Sequence, residues 1–303
     1  MATAPVEPPQ RLVNSLGSDP AAPVRDWLAA LPTVVQQRLD AWELTLERVD
    51  TPGGRGSLVA LVRLPDGTPA ALKFPVPGRT PAHEAAALRR WDGWGAVRLL
   101  RSGDADGTLL LERLQGAVSL RSLPEAKALL EAAGTVRRLW VPPGEGHPFS
   151  TLSGRTDEAV AALHAAGAAV SAAAPLVAQA IGLRRDLPSG ATEEFLLHGA
   201  FRQGKVLAGE RAPWLAIGPA PVVGERAYDL AALVLDRFED LAAGSGAAAA
   251  TRRRVAKLAD SLEVDRDRLR DWTLYRAVAA GVREAAAGDR QRGELLLEFA
   301  TWL

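Results

Sequence analysis

The feature that most constrains this chain is the stretch at residues 195–218, FLLHGAFRQGKVLAGERAPWLAIG. Three short apolar runs, Phe195-Leu196-Leu197, Val206-Leu207 and Trp214 to Ile217, are separated by a polar loop and a Gly209-Glu210 turn. That spacing predicts strand, loop, strand, turn, strand. A unit of this kind needs a larger body to pack on, and 303 residues with 48% hydrophobic content provide a core for one large or two modest domains.

Composition narrows the classes. Lys plus Arg and Asp plus Glu both number 36, so no global field draws the chain to nucleic acid or an anionic membrane. There are no cysteines, which excludes disulfides, thiolate chemistry and cysteine-based zinc sites and suits a cytoplasmic protein. No apolar run approaches the ~20 residues of a membrane span. The opening MATAPVEPPQ lacks the pattern of a signal peptide, and residues 1–23 are expected to be flexible.

Two short helices are expected at residues 24–31 and 34–42, split by Pro32. Strands follow at 44–49, 58–64 and 70–74. A glycine-rich turn at 51–57 carries Gly53, Gly54 and Gly56, and Pro65-Asp66-Gly67 closes a hairpin. Thr80-Pro81 reads as an N-cap and first helical position, with Glu84 in the first turn. Residues 97–100 and 108–112 form another strand pair. Helices are expected at 124–139, at 157–181 as one long alanine-rich element, from 225 to about 241, and at 251–262, 266–287 and 290–303. Arg184-Arg185-Asp186 reads as a solvated turn, and Arg252-Arg253-Arg254 as a solvated helix face rather than a nucleic-acid patch. His164 reads as an ordinary helix residue.

The central stretch resembles the catalytic loop and metal strand of the aminoglycoside and hydroxyurea phosphotransferases, whose pattern is LLHGDLHHGNVL followed by WLAIDPKPVVGEPAYDLA. Leu196-Leu197-His198-Gly199, Gly204, Val206-Leu207, Trp214 to Ile217, Pro219, and Pro221 to Leu230 apart from Arg226 match it. The resemblance runs from about Ala29 onward and implies a bilobal, protein-kinase-like α+β fold. A β-rich small lobe would span residues 24–115 and a helical large lobe 116–303.

By the same resemblance, Lys73 is the phosphate-contacting lysine, Glu84 its helix partner, and the turn bearing Gly53, Gly54 and Gly56 the nucleotide-covering hairpin. Residues 112–114 stand at the hinge, residues 140–150 where the acceptor pocket is shaped, and Asp229 where the loop backbone is braced. The departures fall on the chemistry. Ala200 holds the position of the catalytic Asp, Lys205 that of the metal-binding Asn, and Gly218 that of the second metal-binding Asp. In kinase-type transfer the first group accepts the hydroxyl proton and the other two hold magnesium. A methyl group, an ammonium and a hydrogen atom do neither.

These departures imply a pseudokinase that binds ATP, another nucleotide or an anionic small molecule without catalysis. Each substitution adds one unit of positive charge. The implied nucleotide site is therefore metal-independent, with no magnesium, and Lys205 and Arg202 join Lys73 around the phosphates; the alternative for Lys205 is a plain solvated lysine. Two further readings stay open. One is an active small-molecule kinase with Glu225 or Asp236 in new roles. The other is a structural protein that acts through a protein partner and binds no nucleotide.

Overall fold

The computed structural model describes residues 6–17, 21–78, 80–103, 106–168, 173–191 and 193–303. The backbone divides into two compact units, residues 1–115 with 209–211, and residues 116–208 with 212–303.

The first unit holds the helices α1 (Gln10–Ser15) and α2 (Ala22–Ala41), the strands β1 (Thr45–Val49), β2 (Ser57–Arg63) and β3 (Pro69–Pro75), helix α3 (Pro81–Trp91), and strands β4 (Leu99–Ser102) and β5 (Leu109–Glu112). The five strands form one sheet in the order β1-β2-β3-β5-β4. All four pairings are antiparallel; β1-β2, β2-β3 and β4-β5 join strands adjacent in sequence, and β3 pairs with β5 across α3 and β4. Alternation does the sorting. Leu58, Ala60 and Val62 on β2 and Ala70, Leu72 and Phe74 on β3 are buried against Leu31, Val35 and Leu39 of α2.

α2 is one helix with Pro32 inside it, not two helices split there. Leu31, Val35 and Leu39 recur every four residues and are all buried, so the packed face holds the helix through the missing N–H. Part of the stretch expected to be flexible is likewise packed. Gln10–Ser15 is helical, and Val6 and Leu12 belong to the same core. Residues 1–5 and 18–20 of that stretch lie outside the described residues.

The second unit begins with β6 (Gln115–Ser119) and continues through α4 (Glu125–Leu139), α5 (Leu152–Ala168), α6 (Ala174–Ser189), β7 (Phe195–Leu197), β8 (Val206–Ala208), β9 (Trp214–Ala216) and β10 (Val222–Gly224). It ends with α7 (Arg226–Leu235), α8 (Phe238–Ala242), α9 (Ala247–Leu262), α10 (Arg266–Ala286) and α11 (Arg290–Ala300). Strands β6, β8 and β9 form one small sheet, and β7 pairs with β10 in another. α10 is the central helix, with Leu269, Trp272, Ala277, Val278 and Val282 buried along it.

Three expectations change here. The single alanine-rich helix resolves into α5 and α6, with Pro175 opening the second. Residues 169–172 lie outside the described residues. Arg184-Arg185-Asp186 lies inside α6, not in a turn. Arg254 is buried rather than solvated: its guanidinium donates to the Val234 and Asp236 carbonyls and pairs with Glu125. His164 is exposed on α5.

Candidate functional site

In the first unit, Lys73 sits on β3 opposite Val59 of β2 and Leu109 of β5, so both neighbouring strands fix its height. Pleating turns it away from the face that buries Leu72 and Phe74. Glu84 lies in the first turn of α3, beside buried Ala85 and Leu88. Thr80 precedes this helix, but its side chain makes no capping bond. The Lys73 ammonium donates to both Glu84 carboxylate oxygens at 2.6 Å. The two side chains are only 13% and 9% exposed. Removing either partner would leave a buried charge unpaired, which is why such pairs stay together once formed.

The glycine-bearing turn links β1 to β2. Gly53 has φ +70°, and a side chain there would meet the Asp50 carbonyl at 3.0 Å and the Pro9 ring at 3.1 Å. Position 53 therefore requires glycine in its backbone and in its surroundings. Gly54 is exposed, and the Gly56 carbonyl accepts from Val76 N.

The second unit builds the loop after β7. His198 and Gly199 donate their backbone N–H groups to the two oxygens of Asp229, at 2.7 and 2.8 Å. Burial pushes Asp229 above its ordinary carboxylate range, and those two N–H bonds pull against the rise. The His198 ring accepts from Ala200 N at Nδ1, 3.3 Å, which leaves Nε2 to donate to the Ile217 carbonyl at 3.1 Å. Gly199 has φ +72°, and a side chain there would stand 1.9 Å from the Ala220 carbonyl oxygen. The same Ala220 oxygen accepts from Arg155 at 2.6 Å, and the Pro221 oxygen accepts from it at 2.8 Å. These contacts lock the loop's shape without supplying a reacting group.

Position 200 carries only a partly exposed methyl group. Lys205 closes a short 3-10 turn, and its Nζ donates to the Gly218 carbonyl at 2.7 Å. Gly218 has φ +58°, and the nearest atoms to a side chain there are Cε and Nζ of Lys205, both at 4.0 Å. The structure thus brings Lys205 and Gly218 together. Arg202 is exposed on the same loop. Gln203 N donates to Asp236 at 2.5 Å. Burial pushes Asp236 up, against the Gln203 N–H and the charges of Arg121 and Arg202. Glu225 is buried, and its carboxylate accepts from Arg268 and from Trp272 Nε1. It braces α7 against α10.

Some contributors gave no local signal. Arg155 holds residues 220–221 from 65 positions away in sequence. Arg226, the one mismatch in its stretch, pairs with Glu193 and lies over the Trp140 and Phe195 rings. Its guanidinium holds Glu193 below the usual carboxylate range.

A lysine paired with a helix glutamate on a five-stranded antiparallel sheet, together with a helical unit whose loop is braced by a buried aspartate, defines a protein-kinase-like fold. Solved structures agree. An aminoglycoside phosphotransferase in ternary complex with ADP and hygromycin B superimposes with a TM-score of 0.61 at 18% identity, covering 89% of this chain and 97% of that one. Choline kinase from Streptococcus pneumoniae gives 0.62 at 12% identity, covering 88% and 99%.

Sequence places the chain more closely. The pattern of the aminoglycoside/hydroxyurea antibiotic resistance kinases matches residues 41–288, and the chain belongs to that family. A streptomycin 6-kinase from Streptomyces glaucescens is 36% identical over 89% of this chain and 88% of its own length. A hydroxyurea phosphotransferase from Kitasatospora aureofaciens is 35% identical over 94% and 82%.

One expectation is overturned by this membership. A metal-independent site without magnesium conflicts with membership of a family of antibiotic resistance kinases, because kinase-type phosphoryl transfer relies on magnesium to neutralise the phosphates. At the two positions that the resemblance would assign to the metal, Lys205 is a cation and Gly218 has no side-chain ligand, so these side chains would not hold that ion. Among the described residues no three His, Cys, Asp or Glu side chains are grouped to hold a metal. No helix among the described residues is long and apolar enough to cross a membrane.

Proposed function

We propose that this chain uses an ATP-type nucleotide whose phosphates are received by Lys73 and the turn bearing Gly53, Gly54 and Gly56, in the cytoplasm where ATP is plentiful. The observation that carries this reading is the paired Lys73 and Glu84, which holds an ammonium at a fixed height on the sheet. A point charge fixed in this way is what phosphate recognition requires.

For the reaction, the comparisons favour an ATP-dependent small-molecule kinase, since relatives matched over most of their length are named as streptomycin kinases and a hydroxyurea phosphotransferase; in this chain its catalytic residues would be rewired. In that reading the acceptor is a small molecule of the aminoglycoside or hydroxyurea type. The proton-accepting role passes to another carboxylate. Glu225 is committed to Arg268 and Trp272, so Asp236, which anchors the loop at Gln203, is the one to test. A second reading, a non-catalytic nucleotide binder, is favoured by one observation: Ala200 offers no base, and Lys205 with Gly218 offers no metal clamp.

The test is a phosphotransfer assay with ATP and magnesium against streptomycin and hydroxyurea, run beside nucleotide titration. Turnover abolished by Lys73→Ala and lowered by Asp236→Asn supports the kinase. Saturable ATP binding with no turnover supports the non-catalytic binder. Absence of nucleotide binding contradicts both and favours the protein-partner role.

A further inference from the structure

The N-terminal helix α1 lies outside the stretch that matches the family pattern, yet it grips the glycine-bearing turn. Ser15 Oγ stands 2.8 Å from the Arg55 carbonyl and 2.7 Å from the Leu12 carbonyl, so its single proton is shared between them. Arg11 Nη1 reaches the Gly53 carbonyl at 3.4 Å. The Pro9 ring packs where a side chain on residue 53 would stand. Leu12 and Val6 anchor the segment in a core that includes Leu58 at the start of β2.

These contacts fall on alternate carbonyls of one turn, those of Gly53 and Arg55. A trans peptide is planar, and its C=O and the following N–H point in opposite directions. Drawing the Gly53 carbonyl toward α1 turns the Gly54 N–H away from α1. Drawing the Arg55 carbonyl the same way does so for Gly56. Glycine N–H groups held on one side of a turn are the donors that an anion needs.

We propose that Ser15 and Arg11 are positioning residues of the nucleotide turn: α1 holds the Gly53 and Arg55 carbonyls so that the Gly54 and Gly56 amides are presented together to phosphate. This rests on the nucleotide reading above. The helix does not touch the phosphate. It removes backbone freedom that binding would otherwise have to remove, which is preorganisation.

The experiment compares the full chain with Ser15→Ala, Ser15→Thr and Arg11→Ala. One arm titrates ATP with magnesium by calorimetry. The other follows amide exchange of the peptide covering residues 50–57 without nucleotide. Loss of one such hydrogen bond is expected to weaken ATP binding roughly 3–10-fold in Ser15→Ala. The turn should exchange faster, the melting temperature should stay close to that of the unmodified chain, and Ser15→Thr should restore both readouts. A smaller effect in the same direction is expected for Arg11→Ala, whose contact is longer. Unchanged affinity and unchanged exchange in Ser15→Ala would overturn the proposal. If the unmodified chain binds no ATP, the nucleotide reading fails and the positioning role falls with it. Faster exchange in Ser15→Ala would then show only that α1 clamps the turn.

Discussion

The small unit and the large unit treat their charged residues in opposite ways. On the sheet, Lys73 and Glu84 make a two-point contact at 2.6 Å that keeps an ammonium and a carboxylate together. In the loop after β7, the framework is complete, while the positions that by resemblance would carry the family's chemistry hold Ala200, Lys205 and Gly218. His198, Gly199 and Asp229 still fix the backbone through buried hydrogen bonds at 2.7–3.1 Å. A loop can therefore keep its shape without its reagents, because shape depends on backbone donors and a brace, whereas chemistry depends on three side chains that bear little of the fold.

The largest effect expected from breaking this comparison is on the brace. Asp229→Ala leaves the buried N–H groups of His198 and Gly199 without acceptors, at a cost of about 1–3 kcal/mol each. A loss on the order of 10 °C in thermal unfolding should follow. A loss under ~2 °C would mean that the loop is not held from α7.

Next in size is the small-unit pair. Lys73→Ala strands the buried Glu84 carboxylate and should destabilise the chain by about 3 kcal/mol. Adding Glu84→Ala should restore part of that stability while nucleotide binding stays as weak as in Lys73→Ala. A double-mutant cycle read by urea unfolding measures the coupling, and additive single effects would deny that the two residues act as a pair.

Gly218→Asp sharpens the contrast from the other side. The space at 218 opens only on the Lys205 ammonium. A carboxylate there gains an ion pair worth about 0.5–1 kcal/mol, while φ +58° costs a residue with a side chain about as much. Stability should change by less than ~1 kcal/mol. A drop of several kcal/mol in urea unfolding would mean that the space is filled.

The smallest effect is a pH dependence. Glu193 is held below its ordinary pKa of 4.5, chiefly by its hydrogen bond to Arg226. A lowered folded-state pKa contributes stability above the unfolded value and loses it as pH falls through the folded one. Glu193→Gln should therefore lower stability at pH 7, where that contribution is complete, change it little well below pH 4.5, and flatten the part of the acid limb between. An unaltered acid limb would place the pair's contribution elsewhere.

Much of this was legible in the sequence, for identifiable reasons. Short apolar runs at 58–62 and 70–74, bounded by turn residues, revealed β2 and β3. The residues flanking the loop were legible because the backbone needs them: at 199 only glycine fits beneath the Ala220 carbonyl. Pro32 misled, since local propensity weighed a missing N–H while Leu31, Val35 and Leu39 were deciding the helix. Arg254 misled in the same way. A run of three arginines reads as solvated until helix termini at Val234 and Asp236 supply carbonyls for one of them. The grip of α1 on the glycine turn had no local signal, because its bonds span about 40 residues and end on backbone oxygens.

The central claim is the proposal that the sheet's lysine serves a nucleotide whatever chemistry the loop after β7 supplies. Its most direct test is calorimetric titration of ATP with magnesium into the unmodified chain and into Lys73→Ala, with the folded state of each checked by circular dichroism. The account predicts saturable binding by the unmodified chain and roughly 10-fold or greater weakening when the ammonium is removed, the size of a lost charge-assisted contact. Equal affinity in the two proteins, or no binding by the unmodified chain, would contradict it.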